Sequence, residues 1–169
     1  MVHTGNEFAL SYRDSLVARA HADDPASIAY QQGDQLQAAL WDFSRNLFLG
    51  AVTDTVGGTA IVIPYPLVIY RGWVGGIVSV DSAHESRFKE PFQAAYYILT
   101  LILQLVPYTL AAGAGVNLGI AYFRPKPYYR GDKWFDLPRE AIRDVFRIYV
   151  LVVPLFFIAS LWEFLSPWN

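Results

Sequence analysis

The sequence predicts an all-α fold: a polytopic membrane helical bundle of about 3–5 transmembrane or re-entrant helices, with Gly- and Pro-broken segments and an N-terminal amphipathic arm. Three observations lead there. Phe92 to Phe123 runs without one charged side chain. At ~1.5 Å per residue a helix of that length reaches roughly 48 Å, against a hydrocarbon core of about 30 Å. Of the 169 residues 54% are hydrophobic and only 17% charged, where a soluble domain carries nearer a quarter (about 25%). Mean hydropathy is +0.25. A chain this short cannot build a soluble core thick enough to bury the long run.

Composition also excludes function classes. A net charge of −2, with no basic stripe interleaved with aromatics, argues against nucleic-acid binding. The absence of cysteine removes disulfides, thiolate chemistry and Cys-based zinc sites. Met1 to Leu40 is polar and lacks an apolar h-region, so it does not read as a cleaved signal peptide.

Residues 1–40 read as a polar or amphipathic arm, and 41–169 as the membrane-embedded domain. Asp23-Asp24-Pro25 suits a helix start, with proline in the first turn and acids at the positive dipole end. Ile28, Leu36, Ala39, Leu40 and Phe43 then form an apolar stripe. It suits a helix lying on the membrane surface or one packed on the protein itself. Asn46 to Val80 is the first membrane region, interrupted by Gly57-Gly58, Pro64 and Pro66. It fits two short broken helices, or one span followed by a re-entrant piece. After the polar loop 81–91 comes the charge-free run, which Pro107 divides. A last span covers roughly Ile148 to Leu165.

Lys and Arg concentrate in 124–147, which the positive-inside rule makes a cytoplasmic loop. Arg13, Arg19 and Arg45 argue more weakly for a cytoplasmic N-terminus. Both hold only if 46–80 crosses an odd number of times, which favours the re-entrant form. Aromatics sit where headgroup belts are expected: Tyr65, Tyr70 and Trp73; Tyr96 and Tyr97; Tyr122, Phe123, Tyr128, Tyr129 and Trp134; Trp162 and Trp168.

Gly72/Gly76 and Gly115/Gly119 each place two glycines four apart on one helix face, and Gly113 widens the second patch. Such faces let helix backbones approach closely in lipid, either inside the bundle or at a partner interface. Asp54 lies in an apolar run. It is either an intramembrane functional carboxylate, with Arg71 or Arg45 as partner, or a residue near an interface. Gln104 and Asn117 suit interhelical hydrogen bonds, and Glu163, near the end of the last span, is expected to reach headgroups or water. The three histidines have no ligand spacing, and no nucleophile elbow, phosphate loop or His-Glu-x-x-His is present, so no metal, cofactor or catalytic site is expected.

Three blocks resemble the stage II sporulation protein M family of bacterial membrane proteins. The first is Phe43-x-x-Asn46, Gly57-Gly58 and Arg71-Gly72-Trp-Val-Gly-Gly76; the second runs from Gln104-Leu-Val-Pro-Tyr to Gly115-Val-Asn-Leu-Gly119. The third is Arg139-Glu-Ala-Ile-Arg-Asp144 leading into Val153-Pro and on to Glu163-Phe-Leu-Ser-Pro167. The likeness covers roughly residues 41–167. Departures accompany it: the family's Pro-His-Gly is missing near Tyr97–Thr100, and Gln104 stands for its glutamate. Arg71 stands for its Asn and Asn117 for its basic residue. Any charge or proton role of that histidine and glutamate is then lost here. The sporulation member's additional N-terminal membrane helix has no counterpart in this sequence. The resemblance implies a scaffold at the bacterial cytoplasmic (inner) membrane or an intracytoplasmic extension of it, since the sporulation member is a membrane scaffold for peptidoglycan-remodelling partners.

The expected function is therefore a non-enzymatic membrane scaffold or accessory subunit, surrounded by membrane lipids and packed on partner integral membrane proteins or on further copies of itself. The alternatives are a small solute or ion transporter or channel, and a pigment- or lipid-binding subunit of an energy-transducing complex.

Overall fold

The computed structural model describes residues 1–124, 129, 132–134 and 136–166. Three helices form the arm: α1 (Glu7–Asp23), α2 (Pro25–Gln31) and α3 (Gln35–Arg45). Each begins on a side-chain cap, Asn6 Oδ1 accepting from Ala9 N, Asp24 from Ala26 N and Asp34 from Gln37 N. From α3 the chain does not stop. It continues through a π-helical stretch, Asn46–Ala51, into α4 (Val52–Gly58). These pieces have 11, 6 and 7 residues, a rod of roughly 36 Å.

Gly57-Gly58 ends the rod, Ile61 turns the chain at φ 63°, and Pro64 starts the return helix α5 (Pro64–Ile77). The first membrane region is thus a helical hairpin whose ascending limb begins at Gln35, eleven residues before the expected start at Asn46. The boundary drawn at 40/41 falls inside α3, so arm and bundle share one helix.

Among the described residues, α6 (Pro91–Phe123) and α7 (Arg139–Leu165) are the two helices long and apolar enough to cross a membrane. α6 corrects the expected break at Pro107: the helix passes through it. A proline inside a helix frees one carbonyl, here Leu103, and buried packing around Pro107 absorbs the loss. α7 likewise carries Pro154 inside and starts at Arg139, well before Ile148. A two-residue pairing, β1 (Lys133–Trp134) with β2 (Leu137–Pro138), precedes it.

Contacts give the directions. The rod runs parallel to α6, with Asn46 at Tyr108, Thr55 at Ala111 and Gly119 at Thr59. It runs antiparallel to α7, with Phe43 at Phe157 and Thr55 at Tyr149, and Tyr30 of α2 continues the line at Phe164. The core between them is Leu47, Ala51, Tyr108, Ala111, Val152 and Phe156. α3 packs on α7 through Phe43 against Phe157, with Ala38, Ala39 and Asp42 buried, while Ile28, Leu36 and Leu40 of the expected stripe stay exposed. α1 caps the return helix: Phe8 and Tyr12 lie 6.4 and 4.9 Å from the Trp73 ring, and Tyr12 and Tyr70 hydroxyls meet at 3.1 Å. Arg13 donates to Asp14 at 2.8 Å, and His84 Nε2 approaches the same carboxylate at 2.9 Å. Those partners hold the Asp14 carboxyl below its ordinary range.

The arm, the 81–90 loop and Ser166, which donates to Tyr96 Oη at 3.1 Å, gather at one end of the bundle. Tyr129, Asp144 and Asn117 meet at the other. The two basic segments thus sit at opposite ends of the bundle, because the hairpin returns the chain where it entered. Tyr97 and Tyr129 are buried, leaving the aromatic belts; Lys126, Tyr128, Arg130, Pro167 and Trp168 lie outside the described residues. The sequence has no cysteine, so single-site labelling reads the sides cleanly. Gln32→Cys and Lys133→Cys, both at exposed positions, are expected to react with an impermeant maleimide from opposite faces of oriented vesicles. Labelling of both from one face would refute the hairpin.

Candidate functional site

The polar residues of this bundle meet inside it. Asp42, one turn before Asn46 on the rod, accepts from Asn46 Nδ2 at 2.9 Å, from Ser160 Oγ of α7 at 2.7 Å, and from Arg45 Nη2 at 3.4 Å. Arg45 also holds Asp24 at 2.7 Å, tying α2 to the rod. Asn46 Oδ1 in turn accepts from the Tyr108 hydroxyl at 2.7 Å. The π stretch makes this possible: it brings Gly50 under the Tyr108 ring, where an added Cβ would lie 2.5 Å from Cε1. Wide turns of this kind recur at functional sites.

Over the Tyr108 ring sits Arg71 of α5, its guanidinium carbon 3.6 Å from the centroid. Arg71 Nη2 reaches both oxygens of Asp54, at 3.1 and 3.0 Å, and Asp54 is only 3% exposed. Of the two partners left open by the sequence, the structure selects Arg71. Arg45 is engaged by Asp24 and Asp42 instead.

A cleft of about 660 Å³ opens between these groups. α5 supplies a stripe at Tyr70, Arg71, Val74 and Val78; α6 faces it with Tyr97, Gln104, Leu105 and Tyr108, and Glu163 of α7 closes one end. Gln104 Nε2 donates to Glu163 Oε2, and Trp162 Nε1 donates to Thr100 at 3.0 Å. Glu163 therefore turns inward to α6, which corrects its expected outward reach: a long acid two residues before the helix end meets the half-buried Gln104 amide before it meets headgroups.

The glycines divide. Gly115 and Gly119 press on the backbones of Thr55 and Thr59, and Gly58 sits against Ala112 and Gly115, so the α6 face is spent inside the bundle. Thr55 Oγ1 marks the closeness, bonding Ala111 O at 2.9 Å and the Tyr149 hydroxyl at 2.8 Å. Around Gly72, Gly76 and Gly113 no neighbouring atom lies within 4 Å of an added Cβ. Asn117 stands apart from the cleft, donating to Tyr129 Oη at 3.3 Å at the far end. Asp42, Tyr108 and Ser160 escape a reading by type and run, since Asp42 looks like the polar face of an amphipathic helix. The available signal is Asp42 and Asn46 at helical spacing four, both pointing one way.

The fold and site define a helical bundle with two membrane-length apolar helices and a polar network enclosed among them. Stage II sporulation protein M is the family whose model matches residues 7–167, nearly the whole chain, and the protein belongs to that family. The match takes in the arm as well, beyond the 41–167 covered by the three sequence blocks. Neither a curated protein nor a solved structure matches the chain.

Proposed function

We propose that the protein is a non-enzymatic scaffold or accessory subunit of the bacterial inner membrane, which docks a helix of a partner membrane protein on α5. The observation that carries this reading is the open glycine face of that helix. Tyr65, Ile69, Gly72 and Gly76 fall on one stripe, the first two 67% and 71% exposed, and among the described residues no atom lies within 4 Å of a Cβ added at either glycine. In lipid, small residues at helical spacing bind another helix by close backbone approach, since apolar burial gives no gain there. The reading requires no cofactor and no metal.

Gly72→Leu with Gly76→Leu is expected to remove the partner, or the second copy, that co-purifies in mild detergent, while the melting temperature stays unchanged. A native protein that purifies as a lone monomer would sink the reading, as would assembly that survives both substitutions.

A second reading, a small solute or ion carrier, is favoured by the cleft and by Arg71 at its wall, paired behind it with Asp54, because intramembrane ion pairs and interrupted helices frame substrate sites in transporters. Liposome flux abolished by Asp54→Asn would support it; no flux under any imposed gradient would remove it.

A further inference from the structure

α7 changes character along one face. Arg139, Arg143 and Arg147 follow one another at helical spacing four, all exposed, and Val150, Val153 and Phe157 continue the same face into the apolar part of the helix. Phe146, 67% exposed, stands among the arginines. A membrane-length helix whose outer face turns from arginine to apolar within one turn meets the headgroup layer at that turn. Exposed aromatics from other elements gather at the same end. Tyr122 and Phe123 close α6, and the Trp134 ring of β1 lies 5.5 Å from the Arg139 guanidinium carbon.

The stripe does not serve the helix that carries it. Arginines at spacing four repel one another, and cations at the start of a helix oppose its dipole, so both arrangements cost stability. Asp144 offsets Arg147 at 2.8 Å. Among the described residues Arg139 and Arg143 form no ion pair, and Glu140 between them turns one oxygen into a buried position. The charge is also regional. Residues 124–147 hold seven Lys and Arg against four acids, while the rest of the chain holds six against eleven. The positive excess is thus confined to this end.

We propose that Arg139 and Arg143 hold the headgroups of anionic phospholipids, so that such lipids collect around this end of the bundle and fix the depth of α7. A guanidinium offers a phosphate several donors in one plane, and basic residues close to a membrane surface are drawn to its anionic lipids. An acidic protein surface would satisfy the charge equally, but it would not account for the apolar face into which the stripe runs unbroken. The contact lies on α7, apart from the docking face on α5, and stands whether or not a partner helix binds there.

The cysteine-free sequence allows one reporter at a time. Phe146→Cys places a bimane label among the arginines, and Ile98→Cys, exposed on α6 near the arm end, serves as the reference. The full chain is reconstituted in phosphatidylcholine vesicles holding nitroxide-labelled phosphatidylglycerol or nitroxide-labelled phosphatidylcholine, and quenching is compared. At position 146 the anionic lipid is expected to be preferred roughly threefold or more, and at 98 not at all. Raising salt should shrink the preference, since exposed charges are screened. Inorganic phosphate at matched ionic strength should leave it intact. Arg139→Gln with Arg143→Gln is expected to abolish it, while the protein melts no lower than the native one in neutral detergent. Equal quenching by both lipids at 146 would overturn the proposal and leave an acidic protein surface as the counterpart. So would an equal preference at 98, or competition by inorganic phosphate. A double variant melting well below the native protein would overturn it too, by showing that the stripe serves the fold.

Discussion

Gly115→Leu is expected to break the fold itself, not an assembly of folded copies. A Cβ at Gly115 would collide with the Thr55 carbonyl and lie 2.9 Å from the Gly58 Cα. Gly58 returns the constraint, its own added Cβ falling 2.7 Å from the Ala112 carbonyl. These are backbone atoms, so no rotamer change makes room. α4 would have to leave α6, taking with it the Thr55 bonds to Ala111 and Tyr149. Overpacking a well-fitted core costs about 1–3 kcal/mol where side chains can shift, and a backbone collision falls at or beyond the upper end. For a chain of this size that is a fall of roughly 10 °C in melting temperature. Thermal unfolding in mild detergent checks it, with Gly72→Leu as the control that should not move. A Gly115→Leu protein melting with the native one would mean that α4 and α6 are not in contact.

That contrast also marks how far the sequence could be read. The presence of α6 and α7 followed from their charge-free length, which is a local property. So did the small-residue faces, because a spacing of four is visible in any helix. What each face touches is not local. In a soluble helix a polar side identifies the buried one, whereas α6 is apolar all round, so Gly115 and Gly72 looked alike until their neighbours were placed.

The polar residues fared by the same rule. Asp54 stood out because its surroundings in the chain are apolar, and Arg71 was a nameable partner. Asp42 sat on a helix with polar neighbours, and only the fold brings Ser160, 118 positions away, within 2.7 Å of it. The π stretch at Asn46–Ala51 has no sequence mark of its own; it is the way Gly50 and Tyr108 fit. Pro107 misled in the other direction. Proline breaks helices in water, where the coil is a ready alternative, but a buried membrane helix has no solvated alternative and keeps its course.

Arg71→Ala is expected to cost about 3–5 kcal/mol, the effect of leaving one partner of a buried pair uncompensated. Asp54 is 3% exposed and both its oxygens lie within 3.1 Å of Arg71 Nη2, so the carboxylate has no water to fall back on. The substitution also strips the cation from the Tyr108 face. Arg71→Lys should rescue only in part, since a point charge does not lie flat on the ring as the planar guanidinium does. Asp54→Asn combined with Arg71→Ala should recover most of the loss, giving a coupling of about 2 kcal/mol or more in a double-mutant cycle. Additive single effects would show that the two residues act separately. The location of the damage is as telling as its size. α5 meets the rest of the chain through few polar ties, chiefly Arg71–Asp54, Gly75 O with Tyr97 Oη, and Tyr70 with Tyr12. Loss of the first should raise hydrogen exchange in Pro64–Ile77 well above that in α6 and α7, because the return helix then opens from the cleft while the rod, α6 and α7 keep their shared core.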